Sequence, residues 1–254
     1  LKDYCKSKGI IFLSTPFDKE AVKILEEIDV PAYKIGSGDM NNFLLLKYIC
    51  SKKKPILLST GMATLEEVKE SIDFLKKENI KDLIIFQCTS SYPAKYEDIN
   101  LNIIDTYLNE FPDAIIGFSD HSLGIEASIG AVAKGAKVIE KHFTLDKKME
   151  GPDHKASLSP NELFNWVRSI RTIEKSLGTD EKKPSKTESE ISNTVRKSIV
   201  SLKDLEIGDI INSEDISIKR PGYGIPPKEY NNILGKRVKK RILKDTIIIW
   251  EDIE

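Results

Sequence analysis

Apolar and polar positions follow one another along this chain in blocks. Six short apolar runs each close on a polar or glycine-rich turn: "IIFLSTPFD" at 10–18, "AYKIGSGD" at 32–39, "PILLSTGM" at 55–62, "LIIFQCTSSYP" at 83–93, "AIIGFSDHS" at 114–122 and "KVIEKHFTLD" at 137–146. Near-continuous β-branched and apolar runs mark parallel strands covered on both faces. The segments between them carry helical period. "TLEEVKESIDFLKK" at 64–77 puts Leu65, Val68, Ile72 and Leu75 on one stripe, and Thr64 followed by Glu67 is a capping-box signature. "DKEAVKILEEI" at 18–28 and "SIGAVAKG" at 128–135 read the same way.

Strand then helix, repeated at intervals of roughly 20–30 residues, predicts a (β/α)8 barrel or a doubly wound sheet. Polar motifs fall at the C-terminal end of every run, where barrel enzymes build their sites, and this favours the barrel. Six units are two short of eight. The chain opens on Leu1, and "LKDYCKSKG" reads as the end of a helix entering a strand. The expected class is therefore α/β, a TIM barrel over 1–178 lacking its first two βα units. "SLSPNELFNWVRSIRTIEKSLG" at 157–178 is its last helix, with Ser159 as cap and Pro160 at the first position. Residues 179–194, "TDEKKPSKTESEISNT", read as a polar linker. From 195 to 254 short strand-like runs ("KSIVSL", "EIGDII", "ISIKRPGYGI", "RVKKRI", "TIIIW") predict a small, mostly β domain.

Composition narrows the partners. Of 254 residues, 40% are hydrophobic and 31% charged, and 39 basic residues against 40 acidic ones leave a formal charge of −1. That balance gives no global attraction for nucleic acid or an anionic membrane. Cys5, Cys50 and Cys88 lack metal-ligand spacing and are too few for a disulfide framework, so a reduced, cytoplasmic setting is expected. No apolar run approaches the roughly 18 residues a membrane helix needs.

The candidate chemistry sits at the run ends. His121, His142 and His154 are all the histidines of the chain, and the first two close consecutive runs. Adjacent strands lie about 4.8 Å apart, so two imidazoles at matching ends reach one divalent ion together. Two nitrogens completed by water or carboxylate suit Mn²⁺ better than Mg²⁺; Asp120, Glu140 and Asp153 are nearby carboxylates, and their spacing does not decide whether they ligate. The bland alternative is two unrelated polar strand ends. "KIGSGD" at 34–39 and "STGM" at 59–62 join Lys34, Ser37 and Ser59 to glycine turns, with Ser90 and Ser119 on the same rim. Hydroxyls, exposed N–H groups and an ammonium suit a phosphate or carboxylate. "IKRPGYG" at 218–224 reads on spacing alone as a Pro-Gly turn with solvated cations.

In order along the chain, "STPFD", "YKIGSGD", "LLSTGMAT", "QCTSSYPAKYEDINL", "IGFSDHSLG", "IEKHFTLDKKMEGPDHKASLSP" and "IKRPGYGI" resemble the sialic acid synthase family, and 195–254 resembles its antifreeze-like (SAF) domain. The resemblance implies an enzyme condensing phosphoenolpyruvate with an N-acetylated hexosamine, typically N-acetylmannosamine, to give a nonulosonic acid and phosphate. Legionaminate and pseudaminate synthesis are the neighbouring alternatives. It implies that Lys34, Ser37, Ser59, Ser90 and Ser119 hold phosphoenolpyruvate, that His121 and His142 bind a divalent metal (Mn²⁺, with Mg²⁺ or Co²⁺ as substitutes), and that Asp39, Tyr92 and Asp153 face the sugar. Lys34, Asp39 and Asp153 are the catalytic candidates. Arg220 would reach a partner's site in a homodimer whose SAF domain caps it. Some family members carry Glu in place of Asp39 and Asn in place of Ser90. An acidic and a lysine residue from the two missing units would also be absent, leaving an inactive fragment. The rivals from other classes are a metal-dependent barrel hydrolase, which usually needs more His and carboxylate ligands, and a non-catalytic binding module.

Overall fold

The computed structural model describes residues 1–254, in two compact units, Leu1–Gly178 and Thr179–Glu254. The first unit runs α1 (Lys2–Ser7), α2 (Lys19–Glu27), β1 (Tyr33–Ile35), α3 (Phe43–Cys50), β2 (Ile56–Ser59), α4 (Leu65–Lys77), β3 (Leu83–Cys88), α5 (Tyr96–Ile99), α6 (Ile103–Glu110), β4 (Ile115–Asp120), α7 (Glu126–Ala133), β5 (Val138–Lys141) and α8 (Pro160–Leu177). Its sheet is parallel throughout, in the order β1-β2-β3-β4-β5. Each crossover steps one place in the same direction. A doubly wound sheet would reverse direction at a switch point, so this order is that of an arc of a barrel.

Five strands form where six apolar runs predict them. The run at 10–18 forms no strand and pairs with none, and Ile10, Ile11 and Phe17 are exposed. A strand is defined by its ladder, and without a partner the apolar pattern cannot produce one. The other runs do as their composition dictates: Tyr33, Ile35, Ile56, Leu58, Ile85 and Phe118 are buried between the sheet and its helices, while Phe86 is buried on the opposite face, under the Lys34 ammonium.

The helices start where their caps are written. Thr64 accepts from the Glu67 amide while Glu67 accepts from the Thr64 amide, opening α4, and Asp18 accepts from the Ala21 amide to open α2. At α8, Glu162 accepts from both the amide and the hydroxyl of Ser159. Each cap fixes where a strand-end loop stops and a helix begins. The loop before α8 carries His142 and Asp153.

The second unit corrects two expectations. The polar stretch at 179–194 is not all linker: α9 (Lys186–Val195) starts on a box between Ser185 and Glu188. The local cap outweighs the polar composition. Of the strand-like runs only β6 (Ser198–Ser201) and β7 (Ile216–Lys219) form a two-stranded antiparallel sheet. "EIGDII", "RVKKRI" and "TIIIW" contribute single bridges, such as Ile210 with Arg237 and Val200 with Ile247. They pack around an isoleucine-rich core of Ile199, Ile211, Ile225, Ile233, Ile242 and Ile248, beside the short helix α10 (Tyr230–Ile233).

Candidate functional site

The C-terminal ends of the five strands open onto one rim, and a continuous polar chain crosses it. Lys34 Nζ donates to Ser59 Oγ at 2.7 Å and lies 3.4 Å from Glu140 Oε2. The other oxygen of Glu140 accepts from Ser119 Oγ at 2.7 Å, and that hydroxyl is 3.2 Å from His121 Nε2. Four strands, β1, β2, β4 and β5, thus join through side chains alone. Side chains alternate along a strand, which puts Ser119 and His121 on the same face as Glu140 and His142.

His121 is held in one tautomer. Its Nδ1 sits 2.7 Å from the Thr89 carbonyl, which can only accept, so Nδ1 carries the proton. Burial pushes the imidazole below its ordinary range, against the Thr89 hydrogen bond. Ser119 gives its single proton to Glu140, so the Nε2 lone pair of His121 is left without a donor. The His142 ring lies edge-on at 5.3 Å between centroids, and Tyr92 packs against both rings at 4.2 and 5.4 Å. Asp153 Oδ2 is 3.8 Å from His142 Nδ1. An unclaimed nitrogen lone pair beside a second imidazole fits a divalent cation with two protein nitrogens. No group of three His, Cys, Asp or Glu side chains converges on one point, so water or substrate oxygens would complete the shell.

A second cluster forms around Gly61. Its amide donates to Ser37 Oγ at 2.9 Å, and Ser37 Oγ is 3.3 Å from Cys88 Sγ. A Cβ on Gly61 would stand 2.3 Å from Ser90 Oγ and 2.9 Å from Ser37 Oγ. Only glycine lets these hydroxyls approach the backbone. Cys88 and Ser90 also line a cavity of about 470 Å³ with Thr60, Gln87 and Tyr107, behind the rim.

The structure therefore brings together Lys34, Ser59, Tyr92, Ser119, His121, His142 and Asp153, and gathers Ser37 and Ser90 in the second cluster around Gly61. Asp39 is turned to a local task, accepting from the Asn42 side chain at 3.0 Å, and contacts none of the others. Arg220 lies exposed in the second unit, on a loop held by Ser198, whose hydroxyl donates to the Pro221 carbonyl at 2.7 Å and accepts from the Gly224 amide at 2.8 Å. His154 bonds Thr144 Oγ1 through Nδ1 at 2.7 Å and so orders the loop that carries Asp153. The role of Glu140 was not evident from sequence; strand alternation from His142 would have placed it on the rim.

Residues 1–182 match the model of the NeuB family, and residues 196–254 match that of the SAF domain. An N,N'-diacetyllegionaminic acid synthase of Legionella pneumophila is 45% identical over 258 residues, covering 100% of this chain and 72% of that protein. The human N-acetylneuraminate-9-phosphate synthase is 38% identical over 255 residues, covering 100% of this chain and 71% of the relative. The crystal structure of the spore coat polysaccharide biosynthesis protein SpsE of Bacillus subtilis superposes with a TM-score of 0.67 at 35% identity, over 100% of this chain and 76% of that one. No helix is long and apolar enough to cross a membrane.

Proposed function

The chain belongs to the NeuB family and carries a SAF domain, and from that premise we propose that it acts in a synthase joining phosphoenolpyruvate to N-acetylmannosamine. The products are a nonulosonic acid and inorganic phosphate. In this reading the five-stranded arc is part of a (β/α)8 barrel. The observation that carries the proposal is the side-chain relay Ser59–Lys34–Glu140–Ser119–His121 on one rim, next to a second imidazole.

Each residue has a task that its surroundings support. Lys34, with Ser37, Ser59, Ser90 and Ser119, holds the phosphate and carboxylate of phosphoenolpyruvate. Glu140 neutralises Lys34 when no anion is present, and an incoming anion competes with it for the ammonium. The methylene carbon of phosphoenolpyruvate bonds to the sugar's aldehyde carbon. Water then adds at the carbon bearing phosphate, and the carbon–oxygen bond to phosphate breaks. The rim aligns the two substrates, which converts an encounter between two molecules into a reaction within one complex. Asp153 and Tyr92 face the sugar, and Asp39 is assigned there too, after release from Asn42. His121 and His142 would hold a divalent cation, Mn²⁺ by donor preference, which supplies Lewis-acid polarisation of the aldehyde oxygen. The same reading makes the protein a homodimer in which Arg220 serves the partner's sugar site.

A second reading has a specific observation behind it: identity to the legionaminic acid synthase is 45%, against 38% to the human N-acetylneuraminate-9-phosphate synthase. That favours a diacetamido hexose as the acceptor. Phosphate release from phosphoenolpyruvate, measured on the complete eight-unit barrel with N-acetylmannosamine and with a 2,4-diacetamido hexose side by side, separates the two. Release with neither sugar refutes both.

A further inference from the structure

Asp120 and Lys141 are register partners across β4 and β5. They point away from the rim, because side chains alternate and their neighbours Ser119, His121, Glu140 and His142 occupy the other face. Their side chains are 0% and 1% exposed, next to Ser128 of α7. Every acceptor site on Asp120 is used. Oδ1 takes the amide of Ser122 at 2.9 Å and its hydroxyl at 2.6 Å. Oδ2 takes the Ser128 hydroxyl at 2.5 Å and lies 3.1 Å from Lys141 Nζ. The same ammonium donates to the Ser122 carbonyl at 2.6 Å.

Such a pair is a poor source of stability, since stripping water from both charges offsets their attraction, and apolar side chains of similar volume hold a fold as well. What this one supplies is geometry. Oδ1 turns the chain immediately after His121. The Lys141 ammonium ties that turn to the residue immediately before His142. From other directions the His121 carbonyl is held by the Ala94 amide at 2.9 Å and the His142 carbonyl by the Leu158 amide at 2.8 Å.

We propose that the buried Asp120–Lys141 pair, with Ser122 and Ser128, is the positioning device that sets the separation of the two imidazoles so that they bind one divalent cation together. This rests on the cation assignment above. Asp120 and Lys141 touch neither substrate nor cation in this scheme; they act through the backbone of His121 and His142.

The test uses Asp120→Leu/Lys141→Met, which removes both charges at once and leaves neither unpaired. Mn²⁺ is titrated into the purified protein and the free ion followed by electron paramagnetic resonance. Histidine ring N–H resonances and thermal melts are recorded on the same samples. The expected result is a melting temperature within a few degrees of the parent, with Mn²⁺ binding weakened about 10- to 100-fold, as for loss of other partners that orient a metal ligand. The His121 ring proton bonded to Thr89 should shift or broaden. Native Mn²⁺ affinity with an unmoved ring resonance overturns the proposal. If the parent binds no Mn²⁺, the cation assignment falls, and an unmoved ring resonance in the variant separately overturns the positioning claim. If the double variant does not fold, Asp120→Asn keeps the side-chain shape without the charge. In that variant native Mn²⁺ affinity contradicts the proposal, and a several-fold loss with a retained fold supports it.

Discussion

Glu140 and Lys141 are neighbours on β5, and each pairs with a group of opposite charge: Glu140 with Lys34 at 3.4 Å, Lys141 with Asp120 at 3.1 Å. The chemistry of the two pairs is the same and their surroundings are not. Lys141 and Asp120 are sealed, with every carboxylate acceptor site filled by a neighbour. Glu140 is 42% exposed and Lys34 12%, their contact is longer, and Ser59 and Ser119 share it. A saturated, dry pair resists change and fixes geometry. An open, loosely held pair gives way to an anion. One residue along β5 separates the sealed Lys141 from the open Glu140.

The comparison can be broken at several points. Removing either imidazole should have the largest effect: His121→Ala or His142→Ala abolishes metal-dependent phosphate release, and added Mn²⁺ does not restore it. Full activity of either variant after chelation and Mn²⁺ titration contradicts the assignment. Lys34→Ala, on the open pair, removes charged hydrogen bonds worth about 1.5–3 kcal/mol each, so kcat/KM should fall roughly 10- to 150-fold per bond lost. Its melting temperature should change little, because the pair it breaks is partly solvated.

Lys141→Met, on the sealed pair, inverts that profile. It strands a buried carboxylate, which costs about 3–5 kcal/mol, or roughly 6–20 °C in melting temperature. Calorimetry on the single variant beside the double variant described above isolates the pair. A melting temperature equal to the parent's would mean that Asp120 is not charged or not buried.

The smallest effect belongs to a surface pair. Burial plays little part at Glu162; the Lys147 ammonium, helped by the Ser159 amide, holds its carboxyl at about 2, below the usual carboxylate range. A depressed carboxyl stabilises the fold fully above its unfolded value near 4.5 and loses that contribution as pH falls toward 2. The side chain is 43% exposed, so solvent screening limits the gain to no more than about 1 kcal/mol. Glu162→Gln should therefore melt slightly below the parent at pH 7 and alongside it near pH 2.

How much of this was legible in the sequence follows from what each feature depends on. Local features were readable: the Thr64–Glu67 box, the Ser159 cap and the apolar runs at 32–39 through 137–146 each carry their own cause. Features that need a partner were not. The run at 10–18 has the composition of its neighbours and no strand to pair with. "RVKKRI" and "TIIIW" look like strands, but the small second core allows them only single bridges. The rim residues were found because they end strands. Glu140 escaped assignment because its task appears only once Lys34 and Ser119 arrive from other strands. Asp39 shows the reverse case, a motif position whose carboxylate is engaged locally by Asn42.

The central claim is that the open Lys34–Glu140 pair and its hydroxyls form a phosphoenolpyruvate site feeding a condensation with an N-acetylated hexosamine. The most direct measurement incubates the complete eight-unit enzyme with Mn²⁺, phosphoenolpyruvate and N-acetylmannosamine or a 2,4-diacetamido hexose, quantifying phosphate and weighing the product by mass spectrometry. The account predicts one phosphate released per sugar consumed, and a product heavier than the sugar by the elements of one pyruvic acid, absent in Lys34→Ala. Phosphate released without a sugar, or sugar consumed with no carbon–carbon bond formed, would contradict it.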